Sequence, residues 1–220
     1  MKQNINKYNN ELKVINTQEK AYLLGFLYGD GTITTYVEKT GRIRYLTKLS
    51  ISIVDKDIII QFKEHFPFFN IGEFDYSKYS KNSEKQISIA KSSKQLYQDL
   101  ILNGLYPRKS YENANKLRIP DIERTLIPHF IRGFFDADGC ITTCPKWNFR
   151  ITLSNTNKEI IDWFKLKFKG NVNDQFYQKN PKHSPAWKWI ISCRGGVLKF
   201  LEMTYPYLKI KEIGIFILLL

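Results

Sequence analysis

Two aspartates, Asp30 and Asp138, occupy the same place in two copies of one nine-residue pattern. The first copy is Leu23-Leu24-Gly25-Phe26-Leu27-Tyr28-Gly29-Asp30-Gly31, the second Ile131-Arg132-Gly133-Phe134-Phe135-Asp136-Ala137-Asp138-Gly139. Both read apolar-x-Gly-Phe-apolar-x-small-Asp-Gly, and Ile33-Thr34 and Ile141-Thr142 follow at the same distance. The copies lie 108 positions apart in a chain of 220 residues, which predicts a duplicated unit folded as a pseudo-dimer, with one site built from both aspartates. Gly25 and Gly29, like Gly133 and Ala137, are four apart, so each helix carries a stripe of small residues along which two backbones can approach closely. Side by side, the helices would hold Asp30 and Asp138 together at their C-terminal ends. Two carboxylates there repel one another and face two negative dipole ends. A divalent cation relieves both penalties. Carboxylate and carbonyl oxygens with open water positions suit Mg²⁺, with Mn²⁺ as a substitute. Such a pair above a basic surface suits phosphodiester hydrolysis, in which metal polarises the phosphate and activates water. A single Asp-Gly after a helix would be an ordinary cap and turn; its recurrence with matching flanks is what points to chemistry.

The elements that must position these residues repeat too. Residues 57–66 resemble residues 159–168 at an offset of 102, which also sets Phe74 over Phe176, Ile89 over Ile191, Leu96 over Leu198 and Lys109 over Lys211. The change from 108 to 102 predicts a shorter first hairpin in the second copy, between Gly139 and Ile151. From Arg42 to Ile53, polar even positions alternate largely with apolar odd ones. Lys146, Asn148, Arg150, Thr152 and Ser154 alternate in the same way with Trp147, Phe149, Ile151 and Leu153. That period of two marks strands with one buried face and one wet, basic face. Further strands fit 70–78, 84–90, 171–179 and 186–192, and helices fit 18–29, 56–66, 92–103, 126–137, 157–168 and 194–203. The expected fold is α+β, with two αββαββα halves, residues 1–103 and 126–220, joined by a connector over 104–125 that Pro107 and Pro120 punctuate.

Thirty-four Lys+Arg against 21 Asp+Glu give a net charge of +13. Residues 1–115 hold 17 basic and 12 acidic residues and the rest 17 and 9, so neither half is a neutral body with a basic tail. A polyanionic partner follows, most often nucleic acid. Cys140, Cys144 and Cys193 lack paired spacing, which argues for a reducing compartment and for small core or strand residues rather than a metal site. No signal peptide or membrane span is visible. The expectation is an intracellular protein with no membrane partner, in the cytoplasm of a prokaryote or phage host or in an organelle.

The doubled motif and its flanking elements resemble the LAGLIDADG homing endonucleases in their single-chain form, from about residue 18 to 212. The resemblance implies antiparallel, saddle-shaped sheets across the DNA major groove and a shared active site at a central two-helix interface. It implies metal binding by Asp30 and Asp138, with backbone carbonyls from Gly29 and Ala137. It also implies a basic residue near each scissile phosphate, matched by Lys109 and Lys211, whose role is to support the attacking water or stabilise charge. At the end of the second strand the family often has a polar residue touching the water network; Asp55 and Asn155 are placed there, and Asp55 departs from the usual Gln. Asp136, at the sixth motif position opposite Tyr28, is read as packing rather than catalytic. Readout from the wet faces falls first to Arg42, Arg44, Lys48, Lys146, Asn148 and Arg150, then to Gln86, Gln175, Tyr177 and Lys188, some touching only phosphates.

The resulting expectation is a monomeric, Mg²⁺-dependent endonuclease that cuts double-stranded DNA at a long, asymmetric target. Its context would be an intron or a free-standing mobile gene; Met1 and the lack of a terminal His-Asn argue against an intein. One rival is a maturase that uses the scaffold to bind intron RNA, which need not keep both carboxylates. Another is a DNA-binding regulator, which would need a further helix-turn-helix.

Overall fold

A threonine starts the first central helix. In the computed structural model, which describes residues 7–75, 85–110, 112–144, 148–175 and 185–204 (backbone alone at 143, 144, 148 and 175), the Thr17 hydroxyl accepts the Lys20 amide and caps α1 (Gln18–Gly29). Pro128 fixes the first turn of its counterpart, α4 (Ile127–Asp138). After α1 come β1 (Gly31–Val37), β2 (Ile43–Ser52), α2 (Lys56–His65), β3 (Asn70–Asp75), β4 (Lys85–Ser92) and α3 (Lys94–Leu102). After α4 come β5 (Gly139–Cys144), β6 (Asn148–Asn155), α5 (Lys158–Phe168), β7 (Asn171–Gln175), β8 (Ala186–Ile191) and α6 (Arg194–Thr204). The two sheets have the same antiparallel order, β1-β2-β4-β3 and β5-β6-β8-β7. The fold is thus the expected α+β arrangement of two αββαββα units.

The strand alternation places the core. Thr47, Leu49 and Ile51 of β2 are buried, while Leu46, Lys48, Ser50 and Ser52 remain partly exposed. Ile87 and Ile89 of β4 lie opposite Ile51 and Leu49 and continue the dry face. Helices cover it: α2 buries Ile58, Ile59 and Phe62, and α5 buries Ile160, Ile161, Phe164 and Phe168. In the second half, Phe164, Phe168, Trp189 and Phe200 form a ring cluster with centroids 5.0–6.1 Å apart. α1 differs from these amphipathic helices. Every residue from Ala21 to Tyr28 is buried, because α4 covers one side and the first sheet another. Tyr8 ties down the segment before α1: its hydroxyl donates to the buried Asp99 carboxylate at 2.5 Å and accepts the Leu12 amide at 3.0 Å.

The halves are not exact copies. β2–β4 and β6–β8 keep the 102 offset, since Leu49 faces Ile89 and Ile151 faces Ile191. The first hairpins do not keep it. Gly31 lies opposite Leu49, but Gly139 lies opposite Leu153, two residues beyond the counterpart of Leu49. The second hairpin is shorter, as expected, and its first strand has also slid by two residues. A two-residue slide preserves which side chains face the core, so alternation alone cannot reveal it.

Candidate active site at the paired helix ends

Glycine is what lets α1 and α4 touch. A Cβ on Gly25 would lie 2.0 Å from the Phe130 carbonyl oxygen, and one on Gly133 would lie 2.1 Å from the Tyr22 carbonyl oxygen. The stripe continues to the ends, where a Cβ on Gly29 would lie 2.3 Å from the Ala137 Cβ and 3.3 Å from Asp138 Oδ2. Asp30 caps α1, its amide donating to the Phe26 and Leu27 carbonyls, and is exposed; Asp138 is the last residue of α4 and is partly exposed. The two motifs therefore end together.

Lys109 enters this junction from the connector. Its Nζ donates to the Tyr28 carbonyl at 2.6 Å and to the Gly29 carbonyl. Burial pushes the Lys109 ammonium down to about 8, against the opposing pull of Asp138 and Asp30. A cationic group thus sits on two α1 carbonyls within the field of both aspartates, so the donor set fits a cation. Among the described residues no cluster of three His, Cys, Asp or Glu could hold a metal. A divalent ion here would rest on Asp30, Asp138, backbone carbonyl oxygen and water, a hard-oxygen set suited to Mg²⁺ rather than Zn²⁺.

Because the folded pKa of Lys109 lies below its ordinary 10.5, the unfolded chain holds more protons between about 8 and 10.5. Stability should rise with pH across that window, by at most about 3 kcal/mol. In chelator-containing buffer, urea midpoints of wild type minus Lys109→Met should increase from pH 8 to 10. A flat difference would place the lysine in solvent.

Tyr28 and Asp136, at the sixth motif position, are both buried and point away from the acids. The Tyr28 hydroxyl lies 2.7 and 2.6 Å from the carbonyls of Asn103 and Arg118 and donates its proton to this pair, and burial pushes its pKa up. Asp136 accepts the Tyr22 hydroxyl at 3.0 Å, and the Arg132 guanidinium lies 3.9 Å from the centre of the Tyr22 ring. These are packing roles.

The family model described as "LAGLIDADG-like domain" matches residues 126–203. Among solved structures, the I-LtrWI LAGLIDADG homing endonuclease bound to target DNA superposes with a TM-score of 0.59 at 13% identity, over 91% of this chain and 89% of that one. I-GzeII in complex with its DNA target gives 0.58 at 15%, over 89% and 86%. Residues 126–203 thus carry a LAGLIDADG-like domain, and the chain as a whole has the fold of these two structures. Two uncharacterized proteins of Methanocaldococcus jannaschii are 27% and 26% identical to it, over 66% and 69% of this chain. The chain spans about half the length of these relatives, 51% and 48%.

Five of the ten expected readout residues lie on the wet faces among the described residues. Arg44, Lys48 and Gln86 sit on the first, opposite Tyr36, Thr32 and Ser52 respectively. Arg44 also pairs with Glu38 at 2.7 Å. Arg42 is exposed in the β1–β2 turn, just before β2. On the second sheet, Arg150 is exposed opposite Thr142, and Lys188 lies opposite Ser154 and Asn173. Asn148 and Gln175 are in β6 and β7, described by backbone alone, and Lys146, Tyr177 and Lys211 fall outside the described residues. Asp55 and Asn155 do not occupy equivalent places. In the sheet offset Asn155 matches Ile53, and Asp55 matches Asn157, the cap of α5. The Asn155 side chain accepts the Asn157 amide at 2.9 Å. The register adds wet-face residues that composition did not single out, among them Tyr36 and Phe74, 48% and 47% exposed, which can stack on bases or sugars. Cys140 and Cys193 are exposed free thiols, so Cys140 is a strand residue outside the core. Among the described residues no helix is long and apolar enough to cross a membrane.

Proposed function

We propose that this protein is a site-specific endonuclease of the LAGLIDADG family that hydrolyses phosphodiester bonds in double-stranded DNA with a divalent metal, Mg²⁺ or in its place Mn²⁺. The observation that carries the reading is the convergence of Asp30, Asp138 and the Lys109 ammonium on the C-terminal ends of α1 and α4. When bound, the metal would supply charge for the phosphate and acidify water. Asp30, Asp138 and the carbonyls of Gly29 and Ala137 would hold it, with the Lys109 ammonium giving up the Gly29 carbonyl on which it rests without metal. Lys109, with Lys211 as its sequence counterpart, would stabilise negative charge at a scissile phosphate. Asp55 and Asn155 would border the water network. The wet faces would grip DNA through Arg42, Arg44, Lys48, Gln86, Lys146, Asn148, Arg150, Gln175, Tyr177 and Lys188. Both acids come from one chain, so the monomer would be sufficient, acting inside a cell on the gene that hosts its own.

The two faces carry different residues, and a monomer of unlike halves should select a long target with at most weak palindromy. Selection from a random duplex library, followed by incubation of the enriched DNA with Mg²⁺, tests both points. Enrichment followed by double-strand cleavage is expected. Enrichment of a perfect palindrome bound by two chains would overturn the monomeric reading, and enrichment without cleavage at any metal concentration would leave DNA binding alone. A maturase acting on intron RNA is the second reading, but the presence of both acids favours cleavage.

A further inference from the structure

The turn between β6 and α5 grips the connector that carries Lys109. The Thr156 hydroxyl donates to the Lys109 backbone carbonyl at 3.0 Å. Next to it, the buried Asn157 side-chain amide donates to the carbonyls of Ala114 at 2.8 Å and Leu117 at 3.0 Å. Within the connector, Asn113 donates to the Pro107 carbonyl at 2.8 Å, and Arg108 is held at φ 53°, a left-handed conformation that side-chain-bearing residues rarely adopt. Strain of this kind persists where surrounding contacts over-determine the backbone. The outcome is that Lys109 is fastened to the second half through its carbonyl while its ammonium reaches the end of α1 in the first.

The residue at the matching place in the first half is of another type. In the sheet offset the counterpart of Thr156 is Val54, which has no hydroxyl and is 81% exposed. We propose that Thr156 is a positioning residue for Lys109, acting on the one strand that Lys109 serves. This rests on the endonuclease reading above and adds to it a residue that would touch neither DNA nor metal. With the Lys109 carbonyl tied, the lysine loses freedom before substrate arrives, and less of the interaction with the phosphate is spent on ordering it. Releasing the tie leaves Lys109 and both acids in place but widens the range of positions the ammonium visits.

The test uses the full chain and three variants: Thr156→Val, which keeps the shape and loses the donor, Thr156→Ser, which keeps the donor, and Lys109→Ala, which marks the strand served by Lys109. Strand-labelled, single-turnover cleavage of the selected duplex should show Thr156→Val slowed roughly three- to tenfold, the scale of one neutral hydrogen bond. The slowing should fall on the strand that Lys109→Ala slows, with nicked DNA accumulating, duplex affinity unchanged and Thr156→Ser near wild type. On the protein alone, pulse acylation of lysines read by mass spectrometry should show Lys109 more reactive in Thr156→Val than in wild type or Thr156→Ser, with other lysines unchanged. Equal slowing of both strands, or a Thr156→Ser variant as slow as Thr156→Val, would overturn the proposal. So would unchanged Lys109 acylation in Thr156→Val. If wild type cuts no DNA, the endonuclease reading fails, and the acylation comparison alone decides whether Thr156 positions Lys109.

Discussion

Asp30→Asn and Asp138→Asn should each abolish double-strand cleavage while leaving specific DNA binding nearly intact. Asparagine keeps the size and one oxygen of aspartate but removes the charge that a divalent ion needs from each helix end. The wet faces that would grip the duplex lie on the sheets and keep every residue. Removing an anion from the negative end of a helix dipole is favourable. Each substitution also removes a charge partner of the Lys109 ammonium, so the two effects oppose and the variants should melt close to wild type in metal-free buffer. Gel shift, cleavage and a thermal melt on the same preparations check all three statements. Wild-type cleavage by either variant would sink the shared site, and loss of binding together with cleavage would place the aspartates in the grip instead.

The second large effect belongs to the helix interface. Gly25→Leu and Gly133→Leu should be among the most destabilising single changes in the chain, because the first atom of any side chain already overlaps backbone on the partner helix, at 2.0 and 2.1 Å. Backbone cannot swing aside as a side-chain tip can, so α1 and α4 must separate. Overpacking costs about 1–3 kcal/mol and sometimes more. In a chain of this size that is a drop of roughly 2–12 °C in Tm, with the upper end expected here. Gly195→Ala is the control: nothing lies within 4 Å of the added Cβ, at the first turn of α6, so no loss is expected. Unchanged melts for both leucine variants would show that these glycines do not face a partner helix.

Much of this arrangement was legible because it is written in local patterns. The period of two from Arg42 to Ile53 separates the buried Thr47, Leu49 and Ile51 from Lys48 and Ser50, and β2 obeys it. The spacing of Gly25, Gly29, Gly133 and Ala137 announced a close helix pair, and the Cβ positions demand it. What escaped was set by partners distant in sequence. The place of Asn155 depends on which β8 residue it faces, and the sheet puts Ile53 rather than Asp55 at its counterpart. The Tyr8–Asp99 bond spans 91 positions, and nothing near Tyr8 signals it. Thr156 is an ordinary turn residue until the connector folds back over it. Lys109 is legible from the family resemblance and its 102 offset to Lys211, but its depressed pKa comes from burial, which no linear pattern displays.

The two-residue slide of the second hairpin sets a length as well as a register. β5 follows Asp138 directly, so moving its pairing along β6 moves the whole β6-β8-β7 face relative to that aspartate, while the first face keeps its distance from Asp30. Two residues of extended chain span about 6.8 Å, and a DNA strand advances about 3.4 Å per nucleotide. On the proposed reading the protected duplex should be off-centre, with one arm reaching from the cuts up to about two base pairs further than the other. An engineered target with two copies of either arm at equal spacing should then be bound less well than the natural one, even with every contacted base kept. A hydroxyl-radical footprint would show the offset directly, and one centred on the two cuts would mean that the helices, not the hairpin, absorb the slide.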